Sequence, residues 1–582
     1  MIEDQDVDEG DIPTLDNMSN VDRPKAKMYI EYILKDGSSN KVTVLSRQPK
    51  ISGKWGGWLN VQHDGSEVPG SVNLEDVVGW REIPEPERLV FLSAAEEMSQ
   101  EVLDTKEIEI HNLIENDVFE VVEDKGQSRV TCKWVFTKKT KSGATVVKAR
   151  LVARGFEETI NNARTDSPTC SRQSLRMCFT TAATMKWNLH SLDVTSAFLQ
   201  GNSIEREVYL QPPSEAHQEE MVWRLKRCIY GLKDAPRAWY ERVEQLLMNL
   251  GGKISRYDDA MFLWHNQGTL IGMIVSHVDD FIYCGTSQWH EAVMRQIQRE
   301  FKISALNQGS FKYVGLNVAQ NDDSIVIDQD IYIRKVKPVE LGASRQKDKE
   351  ASLTKEEKAK LRSVSGQLLW ATSQTRPDVS FDACVTSNYG NNPTVRNITQ
   401  ANKAVKKLQS SQVQLNFPNL GDPKDLKVIT YADASHANLP SGASQAGILV
   451  FLTGNGRAAP ITWQSKKISR VTKSPFASET LAQAESADGG VLVAKMVEEI
   501  FNVSPVKVEC RTDSKSLIDH LGSTHVIQDS RLRVDIARLK EMVKIGEIKM
   551  KWVPTDEQLA DPMTKAGASS AKLLEVLQSG ML

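Results

Sequence analysis

The chain has 582 residues, of which 40% are hydrophobic and 25% charged, and its formal net charge is −4. That is ordinary globular composition, and the length exceeds what one core can fill, so roughly four domains are expected. No apolar run approaches about 18 residues, the acidic start Met1-Ile-Glu-Asp-Gln-Asp lacks a secretory apolar segment, and the seven cysteines are scattered without a Cys-x-x-Cys pair, so a membrane span, a signal peptide, a zinc site and a disulfide framework are not expected.

Residues 1 to about 24 read as a disordered acidic arm. Glu3, Asp4, Asp6, Asp8, Glu9, Asp11 and Asp16 fall within it, and removing these seven acids turns the net charge from −4 to +3. Residues 25–86 read as a small β-rich, barrel-like domain of unreadable role, with short strands around turn signals at Asp36-Gly37, Gly56-Gly57 and Asp64-Gly65. Leu89 to His111 has a helical pattern. Residues 131–155 carry Lys133, Lys138, Lys139, Lys141, Lys148, Arg150 and Arg154 and no acid, on two alternating segments around Lys141-Ser-Gly143. A basic β-ribbon of this kind suits phosphate contact, although a solvated face has the same composition.

Leu192-Asp-Val-Thr-Ser-Ala-Phe-Leu-Gln-Gly201 places Asp193 at a strand end, where a lone Asp reads equally as a cap. Cys228 to Tyr240 is a glycine- and proline-marked turn into an amphipathic helix over 237–250 that stops at Gly251-Gly252. In Ile274-Val-Ser-His-Val-Asp-Asp-Phe-Ile-Tyr283, apolar strands flank a tight turn bearing Asp279 and Asp280. Like charges this close repel and lose hydration, and a divalent metal removes that cost. With Asp193 they make three carboxylates, a set suited to two metals and phosphoryl or nucleotidyl transfer. Residues 345–412 read as helical, and a new β-rich domain restarts at 427.

Taken in order, Lys148-Ala-Arg-Leu-Val-Ala-Arg-Gly-Phe156, Leu192 to Gly201, Tyr230-Gly-Leu-Lys-Asp-Ala-Pro-Arg-Ala-Trp-Tyr240, Val278-Asp-Asp280 and Thr375-Arg-Pro-Asp378 resemble the reverse transcriptase–RNase H portion of a copia-type LTR retrotransposon Pol polyprotein. The resemblance covers about residues 100 to 380. It implies an α+β multidomain chain: a right-hand polymerase with fingers and palm over 87–345 and a helical thumb or connection over 346–424, followed by an RNase H-like α/β domain over 425–582. It puts Asp193, Asp279 and Asp280 on the catalytic metal ligands. Lys138, Lys148 and Arg150 fall in the segment contacting the incoming triphosphate, with none singled out. Gly231, Pro236 and Arg237 fall in the template- and nucleotide-binding turn, and Phe311 to Leu316 resembles the primer-grip hairpin. The family's tyrosine before Val-Asp-Asp is His277 here, from which altered rate or fidelity is expected.

Asp433 on a strand, Glu479 on a helix, Asp513 after a second strand and Asp561 at a helix start, with Trp552 to Asp561 around the last, resemble the acid set of an RNase H domain. Glu485 competes with Glu479 for its role. The implied activity is RNA- and DNA-directed DNA synthesis with degradation of RNA in the hybrid. Two Mg²⁺ per site are implied, with Mn²⁺ as the alternative ion. The partners implied are RNA template, DNA primer, RNA–DNA hybrid and dNTPs, with Gag and integrase of the same element and no membrane. A cytoplasmic element particle, with a nuclear phase, is the expected location. The alternative is a decayed or domesticated element acting only as nuclease or nucleic-acid-binding protein. The whole reads as the polymerase end of a polyprotein, or as a product cut or translated separately.

Overall fold

In this computed structural model the described residues are six strands between Tyr29 and Val90, and residues 99–582 apart from 142–143, 159–163, 219, 440 and 526. The acidic arm, the turns at 36–37, 56–57 and 64–65, and the tip of the basic hairpin lie outside them. The chain divides into two compact units, residues 1–165 with 198–238, and residues 166–197 with 239–582. Among the described residues no helix is long and apolar enough to cross a membrane.

The first unit opens with a five-stranded sheet of β1 (Tyr29–Leu34), β2 (Ser39–Arg47), β3 (Trp58–His63), β4 (Gly70–Asn73) and β5 (Val77–Glu82), in the order β4-β3-β2-β1-β5. The stretch read as one helix from Leu89 is corrected. Arg88–Val90 is a strand whose backbone pairs with Phe136 to Lys138, and helix α1 runs from Gln100 to Glu115. Pairing at a sheet edge overrides the local helical pattern there. The basic ribbon forms as expected from β6 (Cys132–Lys141) and β7 (Ala144–Ala153), in register from Cys132 opposite Ala153 to Lys141 opposite Ala144. Val102 of α1 packs on Phe136, Val147 and Ala149 of one ribbon face.

The second unit is built on a six-stranded antiparallel sheet. Its strands are β8 (Leu189–Val194), β9 (Lys253–Ile254), β10 (Met261–Asn266), β11 (Thr269–His277), β12 (Asp280–Gly285) and β13 (Ile303–Gln308), ordered β9-β10-β11-β12-β8-β13. Helix α2 (Arg172–Met185) is buried along nearly its whole length. Helix α3 (Ala235–Asn249) matches the predicted amphipathic segment. A helical stretch follows, led by α4 (Lys355–Gln374), whose start is fixed by a capping box between Thr354 and Glu357. In the Thr375-Arg-Pro-Asp378 motif Arg376 and Asp378 form a fully buried ion pair at 2.8 Å, and the guanidinium also donates to the Ser411 carbonyl at 3.1 Å. That motif is a clasp within the helical segment.

The C-terminal sheet has the order β16-β15-β14-β17-β18, from β14 (Lys427–Ser435), β15 (Gln445–Gly454), β16 (Arg457–Lys467), β17 (Lys507–Thr512) and β18 (Ile548–Trp552). The first three pair antiparallel, and β17 and β18 join parallel. Helix α5 (Pro475–Phe501) crosses it, and at Gly490 a Cβ would stand 2.6 Å from Thr430, so the absent side chain permits the close approach. One continuous apolar core runs from Phe179, Met273 and Ile282 to Phe451, Val497 and Cys510, joining the two sheets.

Candidate active sites

The strands of the Asp279-Asp280 hairpin form for the reason the sequence gives, apolar residues alternating into a shared core. Only Val278 and Asp279 lie between the strands; Asp280 is the first residue of β12 and pairs with His277. Val278 has φ +61°. A positive φ at the first turn residue is a II′ arrangement that favours glycine, and a β-branched residue there is strained. The Trp239 indole donates to the Val278 carbonyl at 2.8 Å.

Asp193 of β8 sits directly opposite Asp280 of β12. Opposed residues of an antiparallel pair project from the same face with Cβ atoms about 5 Å apart. The Val194 amide donates to the Asp279 carbonyl at 3.3 Å, which ties the turn to β8. Ser304 of β13 donates to the Asp193 carbonyl at 3.1 Å and also to its carboxylate. The Tyr313 hydroxyl donates to the Asp280 carbonyl at 3.3 Å. Burial, with the charges of Asp279 and Asp193, raises the Asp280 carboxyl to about 7. Three acids held this way, one of them reluctant to ionise, fit a site completed by a divalent cation.

The nucleotide-binding candidates lie in the first unit, apart from His277. Lys148 and Arg150 share one ribbon face, opposite Thr137 and Val135; Lys138 stands opposite Val147 on the other face, the one packed on α1. Arg150 lies 5.7 Å from the centre of the Tyr230 ring. Its motif meets the second turn there: the Ala153 amide donates to the Tyr230 carbonyl at 2.7 Å. Gly231 has φ +93°, and a Cβ on it would fall 2.1 Å from the Ala153 carbonyl oxygen. Pro236 and Arg237 occupy the first turn of α3. Arg206 joins the two motifs by donating to Glu158 at 2.7 Å and to Asp234 at 2.7 and 2.8 Å.

The second acid set converges more tightly. One carboxylate oxygen from each of Asp433, Glu479 and Asp513 lies within 4.8 Å of the others, the one set of three so close among the described residues. Asp433 is buried, and its carboxyl is raised chiefly by that burial. Burial and the charges of Asp433 and Asp513 push Glu479 up to about 9. Its Oε2 is buried without a hydrogen-bond partner, an orphan that a cation would satisfy. Asp561 opens a short 3₁₀ turn and is held by Lys565, whose ammonium also lies 3.8 Å from Asp433. Thr564 donates to Asp433. Glu485, the competitor for the Glu479 role, is paired with Lys466 instead.

Ser304, Trp239, Arg206 and Lys565 were not singled out from the sequence. Lys565 had a signal, lying four residues after Asp561 and so one helical turn away. Ser304 and Arg206 act across long stretches of chain on strands and turns that nothing local connects.

Residues 116–347 match the family model described as reverse transcriptase (RNA-dependent DNA polymerase). The chain is 27% identical over 465 residues to the Retrovirus-related Pol polyprotein from transposon RE2 of Arabidopsis thaliana, covering 75% of this chain and 31% of that one. It is 27% identical over 511 residues to the corresponding protein from transposon TNT 1-94 of Nicotiana tabacum, covering 83% and 38%. The chain thus spans about a third of the length of these relatives. A foamy viral protease-reverse transcriptase in complex with double-stranded DNA aligns with 91% of this chain and 99% of its own, at 11% identity and a TM-score of 0.45.

Proposed function

We propose that this chain, a relative of transposon Pol polyproteins whose residues 116–347 carry a reverse transcriptase domain, copies element RNA into DNA and degrades the RNA of the resulting hybrid. The observation that carries the first half is the register of Asp193 against Asp280 with Asp279 in the adjoining turn. The second half rests on the convergence of Asp433, Glu479 and Asp513. In this reading residues 87–345 supply fingers and palm, 346–424 the thumb or connection, and 425–582 the nuclease.

Asp193, Asp279 and Asp280 would hold the metal of the first site, and Asp433, Glu479, Asp513 and Asp561 that of the second. A divalent metal bound there supplies charge neutralisation and activates an attacking oxygen. The chain's own contribution is position. Ser304 fixes the Asp193 carboxylate, Trp239 and Val194 fix the turn that carries Asp279, and Thr564 fixes Asp433. Lys148 and Arg150, on one ribbon face, suit contact with triphosphate oxygens. His277 stands opposite Asp280, where the 3′ end of a growing strand would lie.

Primer extension on an RNA template with Mg²⁺, wild type against Asp279→Asn, tests the polymerase; equal incorporation by both would sink it. Cleavage of a labelled RNA–DNA hybrid by Asp433→Asn tests the nuclease, and undiminished cleavage would place that chemistry elsewhere.

A further inference from the structure

One edge of the C-terminal sheet is formed by β18, and among the described residues no strand pairs with its outer side. A bare edge presents a row of unpaired N–H and C=O groups, a template for another strand. Successive side chains of β18 point to opposite faces of the sheet. On one face stand Lys549 and Lys551, both exposed. On the other is Met550, with Leu521 of helix α6 (Lys515–Leu521) and Val543 of helix α7 (Ser530–Lys544). A groove of about 980 Å³ takes in both sides of this edge, so one extended segment lying along it would meet both.

The register shows how much charge the lysine face carries. Lys427 of β14 sits directly beside Lys507 of β17, and Lys549 beside Glu509. Like charges directly opposite one another destabilise a sheet. Glu509 is already engaged: it accepts from Arg511 at 2.8 Å and lies 3.8 Å from Lys551. The side chains of Lys427, Lys507 and Lys549 are exposed and make no hydrogen bond or ion pair with a described residue. Among the described lining residues the other acid is Asp425. Lysines on an edge strand keep other strands away, which accounts for Lys549 and Lys551. It does not account for Lys427 and Lys507, which lie on inner strands. A field of unpaired ammonium groups repels a basic segment and attracts an acidic one. A single nucleic-acid strand would need rings on which to stack its bases. Among the described lining residues there is no Phe, Tyr or Trp. The charge on one side of the edge therefore suits carboxylates, and the aliphatic lining on the other suits aliphatic side chains.

We propose that the β18 edge is a docking site for an acidic peptide of a partner protein. The peptide adds to the five-stranded sheet as a sixth strand, its acids over Lys549 and Lys551 and its alternate, apolar side chains over Met550 and Val543. Main-chain hydrogen bonds supply affinity, and the alternation of acid with apolar supplies specificity.

The probe is a fluorescein-labelled peptide of about five Asp-Val repeats, titrated against the full chain and read by anisotropy. Lys549→Glu should weaken binding about 5-fold, because an attraction becomes a repulsion. Val543→Ser, which removes apolar contact on the other side, should weaken it about 3-fold. Both side chains are exposed, so neither change should move the thermal midpoint. Lys360→Glu, an exposed position on α4, controls for the change in net charge. A peptide of the same composition, with its acids in one block and its valines in another, should bind at least about 10-fold more weakly, since only alternation puts acids on one face and valines on the other. Hydrogen exchange at the amides of residues 548–552 should slow when the alternating peptide binds. Equal binding of the alternating and block peptides, unchanged exchange at 548–552, or an equal loss in Lys360→Glu and Lys549→Glu overturns the proposal. An RNA–DNA hybrid that displaces the peptide and loses the same affinity in Lys549→Glu also overturns it, because the face would then be a phosphodiester surface.

Discussion

The indole N–H of Trp239 donates to the carbonyl of Val278, a β-branched residue held at φ +61° in the turn that carries Asp279. Trp239 is buried, so neither partner gains a compensating water when the bond is lost. A left-handed valine costs about 1–2 kcal/mol relative to glycine, and the Trp239 bond is one of the contacts that hold it there. Trp239→Phe keeps the ring and removes the donor. Extension kcat should fall about tenfold, the equivalent of roughly 1.4 kcal/mol, with little change in the thermal midpoint. Adding Val278→Gly relieves the strain and should recover part of the loss. Single-turnover extension by the double variant decides it: no recovery would mean that the indole only fills space.

Gly231 and Gly126 separate two costs that a glycine can avoid. Both have positive φ, +93° and +79°, but an added Cβ meets the Ala153 carbonyl at 2.1 Å in the first and nothing within 4 Å in the second. Gly126→Ala should therefore cost only the left-handed conformation, about 1 kcal/mol. Gly231→Ala must also push apart the two motifs that meet at Tyr230 and Ala153, and should cost at least about 3 kcal/mol. Urea denaturation of the two variants should order them this way, and equal losses would mean that the contact yields freely.

The hairpin, the Asp193 strand and the ribbon were legible because each is a local pattern: apolar alternation with an acid or a base at a fixed place. Pairing was not legible. The sequence puts Lys138, Lys148 and Arg150 in one basic stretch, and only the register shows that Lys138 faces away from the other two. The strand at Arg88–Val90 was hidden because its partner, Phe136 to Lys138, lies 46 to 50 residues away in the register.

Lys565 lies among the acids of the second site, bonded to Asp561 and 3.8 Å from Asp433. An ammonium so placed offsets the carboxylate charge and competes with a divalent cation for the same oxygens. Lys565→Gln removes both effects. In EDTA at pH 8 the variant should melt below wild type, and the Mg²⁺ concentration that half-restores stability should fall. Thermal melts across a Mg²⁺ series test this; a half-effect concentration equal to or above that of wild type would count against the competition.

Glu479 makes the C-terminal domain sensitive to base in the absence of metal. Its carboxyl ordinarily titrates near 4.5 and is pushed up to about 9 by burial and by the charges of Asp433 and Asp513. The folded state thus holds this proton more tightly than the unfolded chain does. The resulting stability is fully present below the ordinary value and is lost as pH rises through the folded one, in a window of about pH 5 to 9. Asp433, also raised, acts in the same direction. Glu479→Gln cannot ionise, so in EDTA its stability should stay nearly flat where that of wild type declines, and the two curves should diverge most at high pH. Saturating Mg²⁺ should reverse the wild-type slope, because the metal binds the ionised carboxylates and replaces the proton. Denaturation free energies at a series of pH values, with and without Mg²⁺, give both slopes. Parallel curves for the two proteins in EDTA would show that Glu479 ionises as readily in the fold as in the open chain.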